Sequence, residues 1–265
     1  MNTVILIPAR FASTRYPGKP LVELKGAGGA AKPLIQRSHE AAMRVPGVAA
    51  VRVVTDDERI RDAAEAFGAS VIMTSDACRN GTERCAEAVG QLGPVDLVVN
   101  LQGDALLTPP GFVTALVDHM RANPAADVAT PAMRQRSSEV RALQAEEAQS
   151  RVGGTSVVTD NQGRALYFSK KLIPYLPKGA LDDELSPVRL HIGIYAYRPE
   201  ALDRYVSTPV SELEELEGLE QLRFLAAGIP VEVVEVATPP FILRELNNPE
   251  DVAPIEDALA AAGLE

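Results

Sequence analysis

Apolar and polar positions alternate between two rhythms along the first hundred residues. Residues 3–8, TVILIP, form a β-favouring run that gives way to polar and turn residues, the pattern of a buried parallel strand feeding a loop. In LIQRSHEAAMRV the residues Leu34, Ile35, His39, Ala42, Met43 and Val45 recur near helical spacing. AAVRVVTDD then predicts a second strand with acidic residues at its end, and ERIRDAAEAFG a helix closed by Gly68 at C′. ASVIMTS predicts a third strand and GTERCAEAVGQL a third helix. VDLVVNLQGD predicts a fourth strand, with Gln102 and Asp104 at its carboxyl end. Strand and helix alternating over short connections predict an α/β fold with a doubly wound, mostly parallel sheet. Ligands in such sheets bind beyond the carboxyl ends of the strands, where the first loop and Asp104 lie.

The rhythm changes after about residue 125. RALQAEEAQSRVGG is polar and reads as helix or loop. TSVVTDNQGRALYFS reads as a hairpin turning at Asn161–Gly163, and RLHIGIYAYR as one further strand of alternating bulk. SELEELEGLEQLRFLAAG predicts one amphipathic helix ending at Gly228, followed by the strand IPVEVVEV and a terminal helix from about Pro249. The expected organisation is a single domain over 1–265 with a β-rich insertion at about 135–205.

Composition narrows the function classes. With 265 residues, 46% of them hydrophobic, the chain can bury an enzyme-sized core, and a net charge of −10 argues against a nucleic-acid coat. No run of about 18 apolar residues could span a bilayer and MNTVILIPAR lacks a basic n-region, so a cytoplasmic protein with no membrane partner is expected. Cys78 and Cys85 form no CxxC pair and have no histidine nearby, so they read as reduced thiols.

Against this acidic background the cations Arg10, Arg15 and Lys19 stand directly behind the first strand. No G-x-G-x-x-G follows that strand, GAGGA at 26–30 comes too late, and Gly18-Lys19 is followed by Pro20 rather than Ser or Thr. Two readings remain: three solvated surface charges, or a loop stiffened by Pro17 and turned by Gly18 that wraps guanidinium forks and an ammonium around a polyphosphate. Asp104 reads alone as a helix cap or loop residue. Together with the loop it is a candidate ligand for Mg²⁺, which prefers carboxylate and phosphate oxygens.

The motifs IPARFASTRYPGKPL, VVTDDERI, NGTERCAEAV, VVNLQGD, ALYFSKKLIPY, HIGIYAYR, LEGLEQLRFLAAG and NNPEDV stand in the order found in the 3-deoxy-manno-octulosonate (KDO) cytidylyltransferases, and nearly the whole chain resembles that family. The resemblance implies a nucleotide-diphospho-sugar transferase-like fold and a CTP- and Mg²⁺-dependent transfer of CMP to an acidic small-molecule acceptor. The acceptor's anomeric hydroxyl attacks the α-phosphorus and pyrophosphate leaves. On these positions Arg10, Arg15 and Lys19 would hold the triphosphate, with Lys19, Arg10 and Asp104 catalytic. Asn80, Gly81, Thr82 and Arg84, with Gln102, match the family's cytosine pocket. Asn80 or Thr82 could equally be an ordinary helix cap. His191, Tyr195, Glu220 and Gln221 match positions associated with the sugar acid, and a homodimer built through the insertion is implied.

The chain departs from the family pattern in places. QGDAL stands where the family has QGDEP, and Asn247 stands where the family has a second metal-ligating aspartate, leaving Asp104 and Asn247 as the metal pair. Ser156 stands where the family has a lysine, and KGAGGAAKP is about five residues longer than the usual turn. These differences keep two alternatives open: a CTP-dependent enzyme for another acidic acceptor, such as a different 3-deoxy sugar acid or a phosphonate, and a catalytically impaired nucleotide-binding homologue.

Overall fold

Seven consecutive buried residues make β1 (Thr3–Ala9) the centre of the first sheet. After a loop and a 3₁₀ turn at Lys19–Leu21, β2 (Glu23–Lys25) and β3 (Ala31–Pro33) form a small hairpin. Then come α1 (Leu34–Met43), β4 (Ala50–Thr55), α2 (Glu58–Ala66), β5 (Ser70–Met73), α3 (Gly81–Val89), β6 (Leu97–Leu101) and α4 (Pro110–Ala122). The computed structural model describes residues 1–12, 16–104, 106–239, 243 and 245–264. It divides into two compact units, Met1–Thr114 with Pro239–Glu265, and Ala115–Thr238.

In the first unit the strands run β5-β4-β1-β6, all parallel. The chain builds outward from β1 through β4 to β5, then returns to place β6 on the other side of β1. That reversal is the topological switch point, beside which a crevice opens at the carboxyl ends of β1 and β6. The expected helix stop is present: Gly68 follows α2 with φ +87°.

The glycine-rich stretch, longer than the family's usual turn, is the turn of the β2–β3 hairpin. Gly29 takes φ +82°, and the Ala27 N–H donates to the Leu264 carbonyl at 2.8 Å. The Lys25 N–H donates to Glu256 Oε1, also at 2.8 Å, and the buried Arg37 guanidinium donates to the carbonyls of Leu24 and Ala30. The extra residues are therefore tied to the chain's terminal helix.

The second unit holds β7 (Val128–Arg136), α5 (Ser137–Glu147), β8 (Ser156–Thr159), β9 (Ala165–Ser169), β10 (Leu185–His191) and β11 (Ile194–Tyr197). It continues with α6 (Pro199–Ser207), α7 (Glu212–Glu217), α8 (Leu222–Ala226) and β12 (Val231–Glu235); α9 (Val252–Ala262) then belongs to the first unit. β7 pairs with β12 in parallel and with β10 and β11 in antiparallel register, and β8 joins β10 to β9. The expected insertion at 135–205 lies within this larger unit.

Two expectations need correction here. RLHIGIYAYR is two strands, because the run breaks at Ile192–Gly193 while both halves stay on β7; the Thr130 hydroxyl bridges the break by donating to the Ile194 carbonyl at 2.7 Å. SELEELEGLEQLRFLAAG is likewise two helices. Gly218 takes φ +59° and ends α7 in a left-handed cap, and the buried Glu214 carboxylate accepts from Arg223 at 2.5 and 2.7 Å across the break.

Among the described residues no helix is long and apolar enough to cross a membrane. An apolar cluster in the first unit joins Leu24 and Leu34 to Leu106 and Leu107 beyond β6, to Leu246, and to Ile255 and Leu259 of α9. Leu246 is fully buried there, so Leu246→Ala is expected to lower stability by about 2–5 kcal/mol in urea unfolding, through lost transfer energy and a residual cavity. A loss under about 0.5 kcal/mol would show that this cluster does not anchor the 245–248 segment.

Candidate active site

At the switch point, glycine allows the two strand ends to meet. A Cβ on Gly103 would lie 2.8 Å from the Pro8 carbonyl oxygen, and the Ser38 hydroxyl donates to the Gly103 carbonyl at 2.7 Å. The loop after β6 is thus pressed onto the end of β1. Across this junction Lys19 Nζ donates to Asp104 Oδ2 at 2.5 Å, with both side chains about four-fifths covered. The structure therefore brings together the ammonium and the carboxylate that sequence singled out. Gly18 turns the loop with φ +72° and its N–H donates to the Phe11 carbonyl at 2.9 Å. Arg10 is exposed beside it, and Arg15 lies outside the described residues.

The start of α3 resolves the open choice of cap. Asn80 takes it, its side-chain oxygen accepting from the Glu83 N–H at 2.8 Å. Thr82 is fully buried. Arg84 is also buried, donating to Thr74 Oγ1 at 2.5 Å and pairing with Asp56 at 3.2 Å. Its charge is engaged beneath the helix, where it joins the ends of β4 and β5. Gly81 stands where a Cβ would come 3.3 Å from the Gln102 amide nitrogen and 3.3 Å from Pro8, so Gln102 and the helix start lie side by side.

The four acceptor candidates lie in the second unit. The His191 ring meets Phe168 edge-on at 5.1 Å and lies 5.4 Å from Tyr195. From Tyr195 an aromatic row continues through Tyr197 and Phe224 to Tyr205, whose hydroxyl donates to the Glu220 carbonyl. The break at Gly218 leaves Glu220 and Gln221 in the turn before α8, not on a helix face. His191 Nε2 and Gln221 Nε2 are both covered and without a hydrogen-bond partner among the described residues. Burial pushes the His191 imidazole down to about pKa 3, so it is neutral at ordinary pH.

Ser156, at the position of the family's lysine, is buried. Its hydroxyl donates to the Lys171 carbonyl at 2.5 Å and accepts from the Ile173 N–H, so it closes the β8–β9 region and brings no charge. Sequence reading missed Lys170. Its ammonium would sit 2.8 Å from a Cβ at Gly218, so that glycine makes room for a cation beside the Glu220–Gln221 turn. The signal lay in the adjacent KK of YFSKKLIP and in the glycine interrupting a Glu-Leu pattern. Neither cysteine is set up as a nucleophile: Cys85 is buried, and burial pushes the Cys78 thiol up to about 12.

A resident metal can be judged by donor chemistry. Among the described residues no group of three or more His, Cys, Asp or Glu gathers to cage a cation. Mg²⁺ bound chiefly through phosphates and water needs only one or two carboxylates, and the part-exposed Asp104 supplies one. Asn247 offers an amide oxygen from the segment anchored by Leu246, and its N–H donates to Asp251 at 2.9 Å. Asp104 suits a phosphate-shared Mg²⁺, and the described residues do not suit a protein-only site.

Comparison with known proteins identifies the family. The cytidylyltransferase family profile matches residues 4–234. The chain belongs to the cytidylyltransferase family. It is 40% identical over 264 residues to the 3-deoxy-manno-octulosonate cytidylyltransferase of Maricaulis maris, covering 99% of each chain. It is 38% identical over 263 residues to the 8-amino-3,8-dideoxy-manno-octulosonate cytidylyltransferase of Shewanella piezotolerans, covering 98% of this chain and 99% of that one. A solved CMP:2-keto-3-deoxy-manno-octonic acid synthetase complexed with CTP superposes with a TM-score of 0.84 at 36% identity, over 99% of this chain and all of the other. The parallel strands expected from the alternation over the first hundred residues are β1, β4, β5 and β6; the second unit is mixed, with β12 parallel to β7 and β10 and β11 antiparallel to it, so the sheet is not mostly parallel.

The neutral His191 gives the enzyme a testable pH signature. Its pKa is about 3 folded and 6.5 as the unperturbed value, so below pH 6.5 the unfolded chain binds a proton that the folded chain does not. Stability is expected to be full above pH 6.5 and to fall by about 1 kcal/mol per pH unit as pH drops from there toward 4. The difference in unfolding free energy between the wild type and His191→Gln should shift across that window; a difference constant from pH 7 to 4.5 contradicts the buried neutral imidazole.

Proposed function

We propose that this cytidylyltransferase transfers CMP from CTP to the anomeric hydroxyl of 3-deoxy-manno-octulosonate or a close relative. The hydroxyl oxygen forms a bond to the α-phosphorus, the α–β phosphoanhydride bond breaks, and pyrophosphate leaves. The observation that carries the reading is the Lys19–Asp104 pair at the switch point, an ammonium and a carboxylate held together at the mouth of two parallel strands. Relatives at 38–40% identity over nearly full length carry names for this chemistry, which supports a sugar-acid acceptor.

In this reading Arg10 and Lys19 bind the phosphates, with Arg15 assigned to the same task from its motif. The ammonium of Lys19 stabilises charge that builds on the α-phosphate oxygens as the bond to pyrophosphate breaks. Gln102 and the Asn80–Gly81 start of α3 read the base edge, while Thr82 and Arg84 act from beneath by holding that helix start. Asp104 and Asn247 would hold Mg²⁺, which when bound neutralises phosphate charge and orients the triphosphate. On the acceptor side, His191, Tyr195, Glu220 and Gln221 meet the sugar acid. The partnerless nitrogens of His191 and Gln221 support this, because a polyhydroxy acid supplies both donors and acceptors.

A second acceptor is favoured by two observations. Ser156 brings no cation to the family's lysine position, and relatives named for an 8-amino sugar acid match nearly as well as those named for the parent acid. Pyrophosphate release from CTP and Mg²⁺ should therefore be followed with 3-deoxy-manno-octulosonate, its 8-amino analogue, other 3-deoxy sugar acids and phosphonates. Turnover with a sugar acid is expected, and Lys19→Ala should lower kcat about 10²–10³-fold with the fold intact. No release with any acceptor would leave a nucleotide-binding homologue without this activity, and near-normal turnover by Lys19→Ala would remove the role given to it.

The homodimer is proposed on separate ground. Leu166, Tyr175 and Leu185 are 62%, 88% and 53% exposed within the 135–205 segment, large apolar surfaces of the kind an interface covers. Sedimentation should give twice the chain mass; a concentration-independent monomer would reject the dimer.

A further inference from the structure

The loop that carries Arg10 and Lys19 is gripped from outside by a side chain that has no task in the chemistry above. The Arg59 guanidinium carbon lies 3.3 Å from the centroid of the Phe11 ring, a planar cation laid on an aromatic face. The far end of that ring rests on Gly18, where a Cβ would come 3.0 Å from Cζ and 3.1 Å from Cε2. Phe11 and Gly18 also close the loop through the backbone, the Gly18 N–H donating to the Phe11 carbonyl at 2.9 Å. In sequence, Phe11 follows Arg10 and Gly18 precedes Lys19, so each end of the closed loop hands its geometry to a phosphate-binding cation.

Arg59 is aimed before it stacks. Asp57 accepts from its Nε at 2.9 Å and its Nη2 at 2.6 Å, while also capping α2 by accepting from the Arg59 N–H at 3.0 Å. The bond to Arg59 in turn holds the Asp57 carboxyl below the usual carboxylate range. This fork-on-carboxylate pair leaves little net charge to attract a triphosphate directly, whereas the guanidinium plane remains free to cover the ring.

We infer that the Asp57–Arg59–Phe11 stack is a clamp that presets the shape of the cation-bearing loop for CTP, with Arg59 as a positioning residue. This rests on the nucleotide reading given above. A preset loop needs no ordering when nucleotide arrives, so loss of the clamp should weaken CTP binding and leave the chemical step alone.

The test uses the full chain with CTP and Mg²⁺, reading the Kd by calorimetry and kcat and KM by pyrophosphate release. Arg59→Ala and Phe11→Leu should each raise the Kd and KM for CTP about three- to tenfold, with kcat and the thermal midpoint near wild type. Phe11→Tyr should retain wild-type affinity because it keeps the ring. Arg59→Lys should remain weak because an ammonium has neither the plane nor the fork. The double variant Phe11→Leu with Arg59→Ala should be no worse than the weaker single variant, since both remove one interaction. Restoration by Arg59→Lys would show that charge, and not stacking, is what matters and would overturn the clamp, as would unchanged affinity in Arg59→Ala. Failure of the wild type to bind CTP would instead bring down the nucleotide reading itself.

Discussion

The parallel pairing of β1 with β6, on the side of β1 away from β4, decides where chemistry is possible in the first unit. The register from Thr3 opposite Leu97 to Leu6 opposite Asn100 sends two loops out at the same level of the sheet. Gly103 can then approach the Pro8 carbonyl more closely than any side chain would allow. Lys19 and Asp104, 85 residues apart in sequence, meet only because these loops start side by side. With about a fifth of each side chain still open, the pair holds two opposite charges where a ligand can reach them.

Burial explains which parts of the fold could be read from the amino acids. β1 and β6 are covered along their whole length, so their sequences are nearly continuous apolar runs, interrupted only by Thr3 at the start of β1 and Asn100 in β6. The helix over 211–228 misled because its Glu-Leu spacing continues through Gly218. One residue at φ +59°, with Arg223 and Glu214 paired across it, overrides a local pattern that favours continuity. RLHIGIYAYR misled for a related reason: both halves keep the alternation of a strand, and only the pairing with β7 shows the added residues between them. The β2–β3 hairpin was hidden because its partners, Glu256 and Leu264, lie at the far end of the chain.

The candidate site was legible as residue types and illegible as roles. The NGTER segment looks uniform on paper, yet Asn80 caps, Thr82 is buried, and Arg84 is committed to Asp56 and Thr74, leaving Gly81 to set the distance to Gln102. A charged residue in a binding motif can therefore act by holding the binding surface in place. Arg59 shows the converse: an exposed arginine on an acidic helix start reads as solvated charge until its plane is found over Phe11.

In the proposed assignment of residues, the two units meet opposite electrostatic demands. On the nucleotide side the partner is a polyanion, so cations are kept part-exposed and Lys19 is paired with a carboxylate that can be shared with a metal or exchanged for phosphate. On the acceptor side Tyr195 and Gln221 are buried, and the His191 imidazole answers its desolvation by giving up its proton, not by finding a counter-charge. A neutral imidazole recognises hydroxyls by direction and does not discriminate strongly by charge. Selectivity among sugar acids then falls to the ionised groups nearby, and the exchange of the family's lysine for the neutral, hydrogen-bonded Ser156, with Lys170 standing over Gly218, redistributes those charges. That redistribution is the physical ground for expecting this enzyme's acceptor preference to differ from that of a family member that keeps the lysine.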